Sequence, residues 1–284
     1  MTISRRSFLA GAAAGAVVVG TGRWAPAAAA IRGIDHVVIM LRELEPGIQS
    51  YRELGFAVMP GGVHPVGTHN ALIALADGAY IELIAFRTPN DKHRWWNAMQ
   101  KGGGLIDFCM QTDDLAGDIA AFRQAGVKMS DPVAGGRLRP DGYKLAWVTA
   151  SAPPPFLFQA PFLIQDHTPR EERIGRETTH ANGVTGIAAI TVATDDVARV
   201  RSWWSPVLRQ AGQDVQRPDV DGAGVRFTAG PHLLDFVAPK SAGSPLRAWI
   251  GERGPSPYSL TLATTTAKAT RLDDAKTGTR ILLQ

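Results

Sequence analysis

The sequence predicts an α+β fold built from a repeated βαβββ unit, and three observations predict it. Three segments share one outline: an apolar strand, an acidic residue followed by Leu or Val, an amphipathic helix, then a glycine. They are "HVVIMLRELEPGIQSYRELGF", "DFCMQTDDLAGDIAAFRQAGV" and "AITVATDDVARVRSWWSPVLRQAG". The equivalent points Leu44, Leu115 and Val197 recur at spacings of 71 and 82 residues, and such self-similarity marks a repeated supersecondary unit. Finally, each helix is followed by further strand-like runs. In the first unit two of these, "NALIALAD" and "AYIELIAF", are joined by Asp77-Gly78, a strong hairpin signal.

The elements follow in order. "GIDHVVIML" is rich in β-branched and aliphatic residues after a Gly turn, as a strand requires. Alternation puts His36, Val38 and Met40 on one face and Val37, Ile39 and Leu41 on the other. The first two helices end at Gly55 and Gly126, each 11 residues after the Leu, where a C-cap glycine is expected. The third runs four residues longer to Gly212 and contains Pro206, a position for a kink. Later strands are "YKLAWVTA" and "FLFQAPFLI" in unit two, and "GVRFTAG" and "HLLDFVAP" in unit three, with "YSLTLATTT" and "TRILLQ" after them. Residues 168–182 are polar and aperiodic, which predicts a linker. The expected organisation is therefore a leader over 1–30, two units over 31–167, the linker, and a third unit with terminal strands over 183–284. Units one and two should pair, each with helix on one sheet face and the other face lining a shared cup.

The leader carries "SRRSFL", an apolar stretch from Ala10 to Val19, and "APAAAA", in which Ala25-Pro26-Ala27 suits signal peptidase. Twin arginines before a Gly/Ala-diluted apolar region are similar to a twin-arginine export signal. Periplasmic or secreted localisation is expected, with cleavage between Ala27 and Ala30. The run is too short for a membrane span, which takes about 20 residues, and no later run is long and apolar enough either. Without Arg5, Arg6 and Arg23 the chain has 27 Lys+Arg against 26 Asp+Glu, a net of +1. That balance offers no basic stripe for nucleic acid. Cys109 is the only cysteine, so no intramolecular disulfide forms; it is expected as a small buried apolar side chain.

The His-bearing strand "GIDHVVIML", the loop "PGGVHPVGTHNALI" and the strand "GAYIELIAF" resemble the vicinal-oxygen-chelate superfamily, in particular its glyoxalase-like domain branch. The resemblance covers residues 33–167 well and 183–240 more loosely. It implies the glyoxalase/bleomycin-resistance/dioxygenase fold, with one metal ligand from the first strand of a unit and one from the last: His36 and Glu82. Glu82 shares its face with Tyr80, Ile84 and Phe86, and a carboxylate there needs a cation or a hydrogen-bonding partner. Imidazole plus carboxylate suits a divalent Zn, Fe, Mn or Ni, with Glu82 also the expected catalytic group. Alignment on the Asp-Leu positions offers Asp107 as a further ligand, and "PFLIQDH" offers Gln165, Asp166 or His167. The third unit aligns Ala189 with His36 and Asp235 with Glu82, so it is expected to be degenerate and to supply no ligand.

His64, Thr68, His69 and Asn70 lie in the loop entering the third strand and are candidate substrate contacts. Pairing through Asp77-Gly78 sets Glu82 opposite about residue 74. Trp95-Trp96 and Trp203-Trp204 are expected to pack with one partner of each pair exposed. His93, His180 and His232 show no constellation. Two functions are consistent with these residues. One is a metal-dependent enzyme acting on a small oxygen-rich molecule, of isomerase, lyase or dioxygenase type. The other is a metal-free protein of the same fold that binds and sequesters a small molecule.

Overall fold

A computed structural model describes residues 31–266 and 268–284; the export signal expected over 1–30 lies outside the described residues. The first unit comprises β1 (Ile31–Met40), α1 (Leu44–Glu53), β2 (Met59–Val63), β3 (Thr68–Ala74) and β4 (Tyr80–Phe86). A short α2 (Trp96–Gln100) leads to the second: β5 (Gly104–Thr112), α3 (Leu115–Gln124), β6 (Val133–Leu138), β7 (Lys144–Ala150) and β8 (Phe162–Asp166). These eight strands close into a barrel in the order β1-β4-β3-β2-β6-β7-β8-β5. The shared cup is thus a closed barrel. β1 and β5 pair antiparallel, β4 is parallel to β1, and β8 is parallel to β5.

The remainder repeats that plan incompletely. The expected linker holds a one-turn helix, α4 (Arg170–Ile174), before β9 (Val184–Ala193), α5 (Val197–Leu208), β10 (Gln213–Arg217), β11 (Gly222–Ala229) and β12 (His232–Pro239). After α6 (Pro245–Arg253) come β13 (Ser256–Thr264), β14 (Thr270–Arg271), α7 (Asp274–Thr277) and β15 (Arg280–Leu283). β9 and β13 pair antiparallel, β12 is parallel to β9, and β15 is parallel to β13. The terminal strands are therefore a shortened fourth unit. It has too few strands to close a barrel, so this sheet stays open in the order β10-β11-β12-β9-β13-β15-β14.

α1 and α3 end as expected, with Gly55 and Gly126 just past them at φ +86° and +90°. α5 instead stops at Leu208, where Arg209 takes the left-handed conformation and Gln210 N–H returns to the Ser205 carbonyl at 3.1 Å. Trp203 and Trp204 are both buried, against the expectation that one is exposed. Trp204 packs on Phe108 and Phe122 of the barrel half and on Phe227 and Phe236 of the open half. One histidine ties the open half to the barrel and another ties the linker to it. His232 Nδ1 accepts from Ile34 N–H at 2.8 Å, and His180 joins Ala57 N–H to the Ala74 carbonyl.

Candidate functional site

The barrel encloses a cavity of about 340 Å³, into which His36, Tyr80, Glu82, Ile84, Phe162 and Ile164 face. Its depth lies on the central strands. β1 and β4 set His36 beside Tyr80 and Val38 beside Glu82, while β5 sets Cys109 beside His36 and Asp107 beside Val38. His36 stacks on Tyr80, ring centres 4.5 Å apart, and meets the Phe162 edge at 5.2 Å. Burial holds its imidazole pKa down at about 4, against the pull of the Glu82 charge. It is neutral at pH 7.

Register slips between Ile34 and His36, so Asp35 and His36 both stand opposite Cys109. This is a bulge, which re-aims a side chain that alternation would turn away. Asp35 is fully buried, and its Oδ1 lies 2.6 Å from His36 Nδ1. Arg173 donates to both Asp35 oxygens, at 3.0 and 2.9 Å, and Arg170 pairs with Oδ2. Both Asp35 oxygens accept from guanidinium N–H groups, so His36 Nδ1 is the donor towards Asp35 and Nε2 carries the lone pair. That lone pair faces Glu82 Oε2 at 3.6 Å, beyond hydrogen-bonding distance.

Glu82 Oε1 accepts from Asn70 Nδ2 at 2.5 Å. Asn70 Oδ1 in turn receives Arg137 Nη1 at 3.3 Å, and Arg137 Nη2 donates to the Arg173 carbonyl at 2.7 Å. A Cβ at Gly61 would collide with Asn70 Oδ1 and Arg137 Nη1, so a glycine in β2 makes room for this relay. Glu82 is buried and forms no ion pair with Lys or Arg among the described residues.

The candidate residues are thus sorted by the structure. His36, Glu82, Asn70, Thr68 and His64 share the cavity wall, with His64 Nδ1 2.9 Å from Thr68 Oγ1. Burial also lowers the His64 pKa. His69 does not line the cavity: it lies between Thr68 and Asn70 on β3, so alternation turns it outward. Glu82 stands opposite Leu72 rather than residue 74, because the connection runs from Leu75 to Ala79 and is longer than a two-residue turn. Asp107 is fully buried but occupied: Trp95 Nε1 donates to Oδ2 at 2.7 Å, Phe108 N–H to Oδ1 at 2.9 Å, and Arg94 Nη2 lies 2.8 Å from Oδ2. Burial pushes its pKa up and Arg94 opposes that. Gln165 accepts from Leu115 N–H, Asp166 pairs with Arg173, and His167 is exposed. Sequence reasoning missed Asp35, Arg94, Trp95, Arg137, Arg170 and Arg173. The arginines of α4 lie in the expected linker, and Asp35 turns inward only through the bulge.

The donors can be tested against a metal. Asp35, His36 and Cys109 each offer an atom within 4.8 Å of one another. Both Asp35 oxygens are already compensated by guanidinium, however. The open donors are His36 Nε2 and Glu82 Oε2. Phe162 and Ile164 take the inward positions of β8, and Asp107 is engaged elsewhere. A catalytic metal usually takes three protein ligands. His36 and Glu82 supply two of these, and Cys109 lies within 4.8 Å of His36 in the Asp35, His36 and Cys109 group.

Comparison with known proteins agrees with the architecture. A hypothetical protein from Staphylococcus aureus superposes with a TM-score of 0.67 at 15% identity, over 89% of this chain and 98% of its own. A mutant of 4-hydroxymandelate synthase from Streptomyces coelicolor gives 0.54 at 11% identity, over 86% and 78%. A xylose isomerase-like TIM barrel/4-hydroxyphenylpyruvate dioxygenase fusion protein gives 0.51 at 15%, over 85% of this chain and 38% of that one. At these identities the likeness is one of fold. No curated protein matches in sequence. The family model for the glyoxalase-like domain matches residues 34–208, more than half of the chain and both barrel units. With the paired βαβββ units and the inward His36 and Glu82, this places the chain in the glyoxalase-like domain family of the vicinal-oxygen-chelate superfamily.

Proposed function

We propose that the barrel is an enzyme site that moves a proton on a carbon beside a carbonyl, in an isomerase- or lyase-type reaction on a small oxygen-rich molecule. One observation carries this reading: two lone-pair atoms, Glu82 Oε2 and His36 Nε2, face one another across 3.6 Å at a cavity wall. Two acceptors so placed take a proton from a ligand rather than from each other. Glu82 is the base. Its Oε2 removes the proton from carbon while the C–H electron pair moves into the carbonyl to give an enolate. The protonated carboxyl then returns the proton to the same or the neighbouring carbon. Neutral His36, held in one tautomer by Asp35, accepts from a ligand hydroxyl. Tyr80 accepts from Arg173 at 2.9 Å and keeps its own proton to donate to the enolate oxygen.

The test is exchange in D2O followed by NMR, with a panel of small ketones, 2-oxo acids and 2-hydroxy aldehydes. Wild type should accelerate loss of protium beside the carbonyl of at least one compound. Glu82→Gln should lower that rate by about 10²–10⁴-fold, the usual contribution of a general base. Binding without exchange would favour the sequestering function. Exchange appearing only on addition of Zn, Fe, Mn or Ni would restore a metal to the mechanism. We also propose export through the twin-arginine route, on the strength of "SRRSFL" and "APAAAA"; secretion unimpaired by Arg5→Lys with Arg6→Lys would refute it.

A further inference from the structure

Arg94 differs from the other arginines of the cavity. Arg137 and Arg173 each donate to named acceptors. Arg94 donates no hydrogen bond to any described residue, although it lines the cavity and its Nε and Nη2 are buried. Its one charge contact is with Asp107 Oδ2, at 2.8 Å but not aligned as a hydrogen bond. Both Asp107 oxygens already have aligned donors, in Trp95 and Phe108. The guanidinium lies over Phe162 at 5.1 Å and Trp95 at 5.9 Å, so two rings hold its plane while 24% of the side chain stays exposed. A planar fork held in this way is suited to a carboxylate. Beside it, burial and the Arg94 charge hold His93 at a pKa of about 4, so His93 stays neutral and does not compete for an anion. Apolar wall, Phe162, Ile164, Ile84 and Trp147, surrounds this group in the same cavity.

We propose that Arg94 is the anchor for a ligand carboxylate, and that the ligand class is a small carboxylic acid with an apolar body. The carboxylate sits on the exposed side of the guanidinium, and the body lies on Phe162 and Trp147. A cavity of about 340 Å³ is at the small end of ligand sites. This inference rests on the cavity being the ligand site proposed above, and it names what that site selects.

Matched pairs test it: 3-phenylpropanoate and octanoate against their primary amides, titrated into the full protein by calorimetry and by Trp fluorescence. Wild type should bind each acid about tenfold to a hundredfold more tightly than its amide, as charge-assisted bonding predicts. Arg94→Gln should abolish the preference while keeping amide binding, and Arg94→Lys should recover only part of it. Arg94→Gln leaves Asp107 buried without its cation, so the double variant Arg94→Gln/Asp107→Asn is measured beside it and should behave alike. Glu82→Gln should keep the acid preference, which separates this result from the proton-transfer test. Equal binding of acid and amide by wild type, a preference surviving in both Arg94→Gln variants, or no binding of either acid at millimolar concentration would overturn the proposal.

Discussion

Glu82 in the barrel half and Asp235 in the open half occupy one position of the repeat, yet their surroundings are opposite. Glu82 stands beside Val38 on the parallel strand, and Asp235 beside Thr191. Arg226 grips Asp235 through two bonds, at 2.6 and 2.7 Å, and Arg217 adds a third at 3.3 Å. Glu82 has one amide donor and faces an imidazole lone pair. Where His36 stands in β1, the equivalent residue of β9 is Ala189. Arginine neutralises Asp235, whereas Glu82 stands at the cavity wall with an amide as its hydrogen-bond donor. One position of the repeat thus carries an arginine-paired carboxylate in the open half and, in the barrel half, a carboxylate with no arginine partner among the described residues.

The largest expected effect is at the buried charge cluster around Asp35 in the barrel half. Arg173→Met leaves Asp35 and Asp166 with Arg170 as their one remaining cation, and because Asp35 is fully buried the loss is expected at about 3–5 kcal/mol, as for a broken buried pair. In the open half, Arg226→Met leaves Asp235 with Arg217, and the lost partner is 33% exposed, so about 1 kcal/mol is expected. Urea denaturation of both variants measures the contrast, and equal losses would break it.

Next in size is the pH dependence of His36, which has no counterpart at Ala189. Its folded pKa of about 4 lies below the unfolded value, so the unfolded chain binds the proton more readily. Stability contributed by the neutral ring is complete above pH 6.5 and is lost as pH falls towards 4, by at most about 3 kcal/mol. His93, also held down at about 4, adds a loss in the same direction, while Asp107, with its raised pKa, works the opposite way. Melting temperature against pH for wild type and His36→Gln isolates the His36 share; an unchanged slope would remove it.

Glu82→Gln and Asp235→Asn should then move stability in opposite directions. In Glu82→Gln the amide oxygen keeps the Asn70 bond and the new N–H meets the His36 lone pair, so melting temperature should hold or rise. Asp235→Asn gives up the charge-assisted bonds from Arg226, at about 1–3 kcal/mol. The smallest effect is at His69, which faces outward: His69→Ala should shift stability by less than about 0.5 kcal/mol and leave ligand binding unchanged by calorimetry.

Sequence alone determined the repeated βαβββ unit, the helix ends at Gly55 and Gly126, the inward face of His36 and Glu82, and the equivalence of Asp235 and Glu82. The repeat, its equivalent positions and the helix ends follow from local rules, period-two alternation and cap chemistry, while the inward face of His36 and Glu82 came from the family resemblance of their strands. Tertiary structure alone decided the rest. Asp35 reached His36 because the strand bulges opposite Cys109, and no alternation pattern encodes a bulge. Arg170 and Arg173, in a polar stretch without periodicity, became part of the site because α4 lies against β1 and β8. Asp107 lost its availability to Trp95 and Arg94, which come from a loop before α2. Which buried carboxylate meets a cation depends on the three-dimensional neighbours of each charge, and those neighbours come from distant parts of the chain.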